Sequence, residues 1–203
     1  MSIIIAGIHT GIGKTICSAV ICQAFGYDYF KPVQAGDLEN SDSVFIKKNV
    51  INPSCTIYPE AYQLNTPASP HFAAALDGVI IKKETIILPV SKNNIVIETA
   101  GGIMSPLAKR FLNIDLVQHF NLPVILVANN YLGSINHTLL SVTALQQRNI
   151  PLKGLVFCGA AVESTRQYIL EYTQLPLLFS IPFFKNINSQ VIADFAKTVS
   201  INL

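Results

Sequence analysis

Two lysines, one threonine and two carboxylates have the types and settings needed to handle a phosphate group: Lys14, Thr15, Lys31, Asp42 and Glu98. Lys14 and Thr15 end the run Gly7-Ile8-His9-Thr10-Gly11-Ile12-Gly13-Lys14-Thr15, which follows an apolar stretch and opens a helical one. A loop entering a helix turns its backbone N–H groups inward, where they meet anionic oxygens. Gly11 and Gly13 carry no Cβ, so the chain can approach the anion closely. Lys14 adds a point charge at the β- and γ-phosphates, and Thr15 a hydroxyl for Mg²⁺. The strict spacing of such a loop wants glycine where Ile8 stands; here the first glycine is one place earlier. The motif points to a nucleotide and leaves the reaction open.

In an open parallel sheet the ligand site lies beyond the carboxyl ends of the strands. Lys31, pinned by Pro32, follows one such strand. Asp42 falls in the first turn of a helix after Asn40-Ser41. Glu98 ends another strand and precedes Thr99-Ala100-Gly101-Gly102, the place of a carboxylate that holds Mg²⁺ directly or through water. Thr15, Asp42 and Glu98 make an oxygen set suited to Mg²⁺, which keeps several waters and needs few carboxylates. A second glycine turn, Gly133-Ser134-Ile135-Asn136, opens a helix after the run Pro123–Ala128 and suits another anion, such as a carboxylate. Taken singly, each has an ordinary reading. Lys31 reads as a solvated lysine, Asp42 as a helix-dipole carboxylate, Glu98 as a strand-end charge and Ser134 as a plain N-cap.

The elements that must position these groups follow from the pattern. Apolar runs at 2–7, 27–31, 94–98, 123–128, 153–158 and 177–181 read as strands. Helical stretches at 14–25, 40–48, 69–76, 134–147, 163–172 and 189–197 alternate with them. This alternation predicts an α/β chain: a mostly parallel sheet covered by helices on both faces, of P-loop NTPase type, as one domain over 1–203. Segments 50–67 and 80–91 give no clear assignment.

Composition bounds the rest. The chain has 203 residues, half of them hydrophobic and 13% charged, with a mean hydropathy of +0.42. That suits strands buried on both faces. The longest stretch without a polar side chain, Gly154–Val162, is far below the roughly 20 residues of a membrane span. A net charge of +2 with scattered basic residues argues against a nucleic-acid partner. Cys17, Cys22, Cys55 and Cys158 show no metal or redox spacing. No basic leader precedes the first strand, so a reducing, cytoplasmic location is expected.

With these residues assembled, the chain resembles the dethiobiotin synthetases. The resemblance runs through GIHTGIGKT (7–15), FKPVQAG (30–36), NSD (40–42), PASPH (67–71), IETAGG (97–102), LPVILVANNYLGSINH (122–137) and SIPFF (180–184). The early glycine is that family's own spacing. The resemblance implies closure of the ureido ring of dethiobiotin from 7,8-diaminononanoate, CO₂ and ATP, with Mg²⁺. One amine takes up CO₂ as a carbamate. The carbamate oxygen attacks the γ-phosphate, and the second amine then expels phosphate from the mixed anhydride. It assigns Lys14 and Lys31 to the transferred phosphate. Gly11 to Ile16 (Gly11, Ile12, Gly13, Lys14, Thr15, Ile16), Asp42, Glu98, Thr99, Ala100, Gly101, Cys158, Gly159, Ile181, Pro182 and Phe183 are assigned to the nucleotide. Thr10, Lys31, Ala35, Gly133, Ser134, Ile135 and Asn136 are assigned to the diamine, and Thr15, Asp42 and Glu98 to the metal. It further implies a homodimer in which one subunit's Gly133–Asn136 turn holds the carboxylate in the other's site.

The chain departs from the family at four places. Ala35 replaces a hydroxyl residue that contacts the substrate, His9 an acidic or polar one, and Gly11 a glutamate. Cys158-Gly159 replaces the Asn-Asp pair that reads adenine. A thiol lacks the paired hydrogen bonds of an amide, so looser nucleotide discrimination is expected. The segment between Leu76 and Asn94 is short, which implies a truncated helix. Two other readings share the fold: a cobyrinate diamide synthase-like ligase domain, which needs an additional glutaminase region, and a partition-type ATPase. The latter carries a lysine early in the loop, where this chain has Ile8, His9 and Thr10.

Overall fold

The computed structural model describes residues 1–201. In chain order the first elements are β1 (Ile3–Gly7), α1 (Lys14–Phe25), β2 (Asp28–Phe30), β3 (Val33–Ala35), α2 (Asp42–Asn49), β4 (Ile57–Tyr58), β5 (Tyr62–Leu64) and α3 (Pro70–Leu76). Then come β6 (Ile95–Glu98), β7 (Pro106–Ala108), β8 (Phe111–Leu112), α4 (Asn113–Phe120), β9 (Val124–Asn129) and α5 (Ser134–Gln147). The last are β10 (Leu152–Cys158), α6 (Glu163–Thr173), β11 (Leu177–Ile181) and α7 (Ser189–Ala196).

A seven-stranded sheet runs β11-β10-β9-β1-β6-β2-β4, and every pairing in it is parallel. The expected α/β architecture is therefore what forms. All five residues of β1 and the first five of β9 are buried. This is why those strands read as unbroken apolar runs rather than alternating ones. Each fully buried Ile, Leu or Val there contributes about 1.5–3 kcal/mol. Helices α1, α2 and α7 pack on one another, and α5 packs on α6. From β1 the chain moves to β2 on one side; from β6 it returns to β9 on the other. The reversal places a crevice at the carboxyl ends of β6, β1 and β9, where ligands bind in such sheets.

Smaller elements build the walls of that crevice. Strand β3 pairs with β5, and β7 with β8 in an antiparallel hairpin. Val33, Leu64, Ala73, Ile86, Leu107 and Phe111 pack into a second small core beneath them. Segment 80–91, which has no clear assignment from sequence, adds a single 3-10 turn at Lys83–Thr85. Basic side chains, expected to be scattered, do gather at one place: Lys82, Lys83, Lys109 and Arg110 line a surface cleft together with Glu84 and Asp115.

Candidate active site

The phosphate loop enters α1 through Gly13, whose φ of 98° is left-handed. A Cβ at Gly13 would lie 2.7 Å from Cys158 Cβ, so the loop rests directly on the end of β10 and only glycine fits. No side chain caps α1, which leaves its first N–H groups free for a ligand.

Glu98 is the hub of the site. It is wholly buried at the end of β6. Its Oε2 accepts hydrogen bonds from Ser18 at 2.8 Å and Tyr29 at 2.9 Å. Its Oε1 lies 2.9 Å from Thr15 Oγ1, which also lies 2.6 Å from Asp42 Oδ1. One hydroxyl hydrogen thus serves two carboxylates, and one acceptor always faces a bare oxygen lone pair. A hard cation resolves that surplus. Thr15, Asp42 and Glu98, all oxygen donors, fit Mg²⁺ with room for phosphate and water ligands.

Asp42 reaches this point because Ser41 caps α2, accepting from the Val44 N–H at 3.3 Å, and sets Asp42 in the first turn. Lys31 pairs with the other Asp42 oxygen. Lys31 is only 5% exposed and Lys14 6%, so neither is a solvated surface lysine. Lys14 Nζ donates to the His9 carbonyl at 3.1 Å. Burial pushes both lysines below their usual value. The nearby Glu98 charge opposes this in each, and Lys14 depresses Lys31 further. The four charges Lys14, Lys31, Asp42 and Glu98 sum to zero.

A cleft of about 450 Å³ opens beside Lys31 and Asp42, lined also by Thr10, Gln34, Ala35 and the 67–70 turn. Gly36, at φ 72°, brings the strand end so close to Pro67 that a Cβ would lie 2.4 Å from Pro67 Cα. Ala100 and Gly101 line the same cleft. The Thr99 hydroxyl is buried and turned to the Ile5 carbonyl at 3.4 Å.

The other half of the loop faces β10 and β11. Cys158 is buried, its thiol 3.7 Å from the Gly13 carbonyl, and burial pushes it up to about 12. The Gly159 N–H donates to the Ile181 carbonyl at 2.9 Å, tying the two strand ends. Pro182 and Phe183 stand exposed next to them. Ile12 is buried and Ile16 packs on the main core. At the far side, Gly133 with φ 99° takes the N-cap position of α5 and Ser134 is the first helical residue, so Ser134 does not act as a cap. Ile135 and Asn136 follow it within that turn and line a separate cleft.

Ser18 and Tyr29 were not singled out by sequence, although signals existed. Ser18 is three residues beyond Thr15 on the same face of α1. Tyr29 has the same strand parity as Lys31.

The AAA domain family matches residues 1–191. An ATP-dependent dethiobiotin synthetase of Christiangramia forsetii is 42% identical over 196 residues, covering 97% of this chain and 94% of that protein. Synthetases of Brucella ovis and Chlamydia pneumoniae are 42% and 41% identical, covering 93% and 96% of this chain and 89% and 87% of theirs. Among solved structures, a ParA family ATPase from Chlorobium tepidum superposes with a TM-score of 0.61 at 15% identity, covering 97% of each chain. The MinC:MinD complex of Aquifex aeolicus gives the same TM-score and identity, over 100% of this chain and 97% of that one. At that identity the likeness shows the fold alone. On the extent and identity of its relatives, the chain belongs to the ATP-dependent dethiobiotin synthetase family.

Proposed function

We propose that the edge formed by β1, β2, β6 and the start of α2 is where this chain performs its family's reaction. That reaction is ATP-dependent closure of the ureido ring of dethiobiotin, a C–N bond-forming ligation in biotin biosynthesis. Its substrates are 7,8-diaminononanoate, CO₂ and ATP. The observation that carries the assignment is the convergence of Lys14, Thr15, Lys31, Asp42 and Glu98, from four separate elements, onto one crevice.

The chemistry asks the protein for placement and charge rather than covalent work. The unliganded site is neutral by its four formal charges, with Lys31 paired to Asp42 and Lys14 on the His9 carbonyl, and an arriving phosphate competes for both lysines. Lys14 keeps one N–H on the His9 carbonyl and turns the others to the β/γ oxygens. Lys31 faces both Asp42 and the cleft, and it stabilises negative charge as the carbamate oxygen meets the γ-phosphate. Anionic oxygens beside these lysines restore the protonated form that burial disfavours. Thr15, Asp42 and Glu98 would hold Mg²⁺, which would neutralise negative charge on the transferring phosphate. Ser18 and Tyr29 fix Glu98 so that it presents one oxygen to that position.

The diamine lies in the 450 Å³ cleft between Thr10, Ala35 and the 67–70 turn. Ala35 offers no hydroxyl there. The nucleoside end lies on the opposite flank, over Cys158, Gly159 and Ile181–Phe183, because the γ-phosphate ligands all come from the β1, β2 and β6 side. The uncapped start of α5, Gly133–Asn136, takes a carboxylate in the partner subunit of a homodimer. Leu132 and Leu140, exposed beside it, supply apolar contact surface for that pairing. Nucleic acid and membrane have no part in this reading, and the enzyme works in the cytoplasm; among the described residues no helix is long and apolar enough to cross a membrane. The test is dethiobiotin formation, read by mass, from the diamine, bicarbonate and Mg-ATP. Phosphate release that ignores the diamine supports the partition-type ATPase instead.

A further inference from the structure

Three ring side chains outside the phosphate and metal set meet at the apex of the phosphate loop. His9 stands on the loop, Tyr131 in the turn after β9 and His137 in the first turn of α5. The Tyr131 hydroxyl and His137 Nδ1 hydrogen-bond at 2.7 Å. The His137 ring stacks on His9 with centroids 6.3 Å apart and planes 17° apart. Tyr131 meets His9 edge-on at 6.1 Å. The His9 ring is thus touched from both the turn and the helix.

His9 in turn touches the working parts of the loop. Its carbonyl accepts Lys14 Nζ at 3.1 Å, and its Nδ1–H donates to the Thr10 carbonyl at 2.9 Å. A carbonyl only accepts, so this bond fixes the tautomer and the ring orientation. Beyond the rings, only the 101–102 turn is seen to approach the apex closely: a Gly102 Cβ would stand 3.6 Å from His9 Cα and a Gly101 Cβ 3.4 Å from Thr10 Oγ1. His9, Thr10 and Gly11 are exposed, and no atom lies within 4 Å of where a Gly11 Cβ would stand.

We propose that His9, Tyr131 and His137 are positioning residues for the reaction: together they pin the loop apex to the first turn of α5 and so set where Lys14 and Thr10 stand. This rests on the assignment of Lys14 to the transferred phosphate and Thr10 to the diamine. Most of the hold on a nucleotide comes from backbone N–H groups at the α1 end of the loop, which the rings do not touch. A loosened apex therefore misplaces Lys14 during transfer more than it weakens nucleotide binding.

The test uses the full chain and three variants: Tyr131→Phe, which deletes only the hydroxyl; His9→Ala, which removes the ring but keeps the carbonyl; and the double variant. Steady-state turnover is measured with nucleotide and diamine varied separately. Each single variant is expected to lower kcat by about three- to tenfold while KM for the nucleotide stays within about twofold. The double variant is expected to be no worse than His9→Ala, because the rings act as a unit. Melting temperature and oligomeric state stay at the parent values. Unchanged kcat in both single variants, effects that multiply in the double, or losses that track a fallen melting temperature each overturn the proposal. Lys14→Ala, assayed in parallel, separates this inference from the reading beneath it. Parent-like turnover of Lys14→Ala overturns the phosphate assignment itself. An inactive Lys14→Ala beside parent-like ring variants overturns only the positioning role.

Discussion

The Thr15 hydroxyl stands 2.6 Å from Oδ1 of Asp42, joining the first turn of α1 to the first turn of α2. The same oxygen is 2.9 Å from Glu98. Thr15→Val keeps the shape and deletes this shared oxygen. The expected result is a roughly tenfold or greater rise in the Mg²⁺ concentration needed for half-maximal activity. Titrating activity against Mg²⁺ checks it; an unchanged midpoint contradicts a metal role for Thr15.

The thiols differ in a way that can be read directly. Burial raises Cys17, Cys22 and Cys158, while a hydrogen bond from Cys22 lowers half-buried Cys55. The thiolate is the reactive form. At pH 8, Cys55 is expected to react first with an alkylating reagent, with the other three labelled only on unfolding. Mass mapping of the label checks this, and early labelling of Cys158 contradicts its burial against the loop. The sign for stability follows. A Cys158 thiol raised from 9.0 to about 12 contributes stability that is fully present below pH 9 and is lost as pH climbs toward 12.

Where the resemblance implies an Asn-Asp pair that reads adenine, this chain has Cys158 and Gly159, and the thiol is buried against Gly13. Activity with ATP, GTP and CTP is expected to differ by less than about tenfold, the loss of one good hydrogen-bonded discrimination. A strict preference for ATP contradicts this.

Gly36 packs against Pro67 with no room for a Cβ, at a φ of 72°. Gly36→Ala is expected to cost about 1–3 kcal/mol in unfolding free energy. It should also raise KM for the diamine, because the 67–70 turn walls the cleft proposed for it. Denaturant melts and diamine kinetics measure both. A variant with parent stability and KM removes that wall from the substrate site.

What the sequence made legible depended on burial. Strands β1 and β9 read clearly because both faces are covered and every position but the terminal Asn129 of β9 is apolar. Helix α4 did not. It is short, and its N-cap is Leu112, with no side chain to announce a start; the Asp115 carboxylate caps instead, accepting the Leu112 N–H at 2.7 Å. Strands β4 and β5 hid in a turn-rich segment because each is two or three residues long and is defined by its partner. In the site, Lys14, Thr15 and Glu98 were visible from motif and strand end. Spacing and parity put Ser18 and Tyr29 on the right faces, but their support of Glu98 depends on which face of α1 meets β6 and β2.

Everything proposed for the site turns on Lys31 and its neighbours acting on a phosphate during ring closure. The most direct measurement is diamine-dependent phosphate release, with bicarbonate and Mg-ATP, by folded Lys31→Ala beside the parent chain. The expected result is diamine-dependent release by the parent and a loss of about 10²–10³-fold in the variant, with the circular dichroism spectrum retained. Near-parent turnover by folded Lys31→Ala, or parent phosphate release that is indifferent to the diamine, would contradict it.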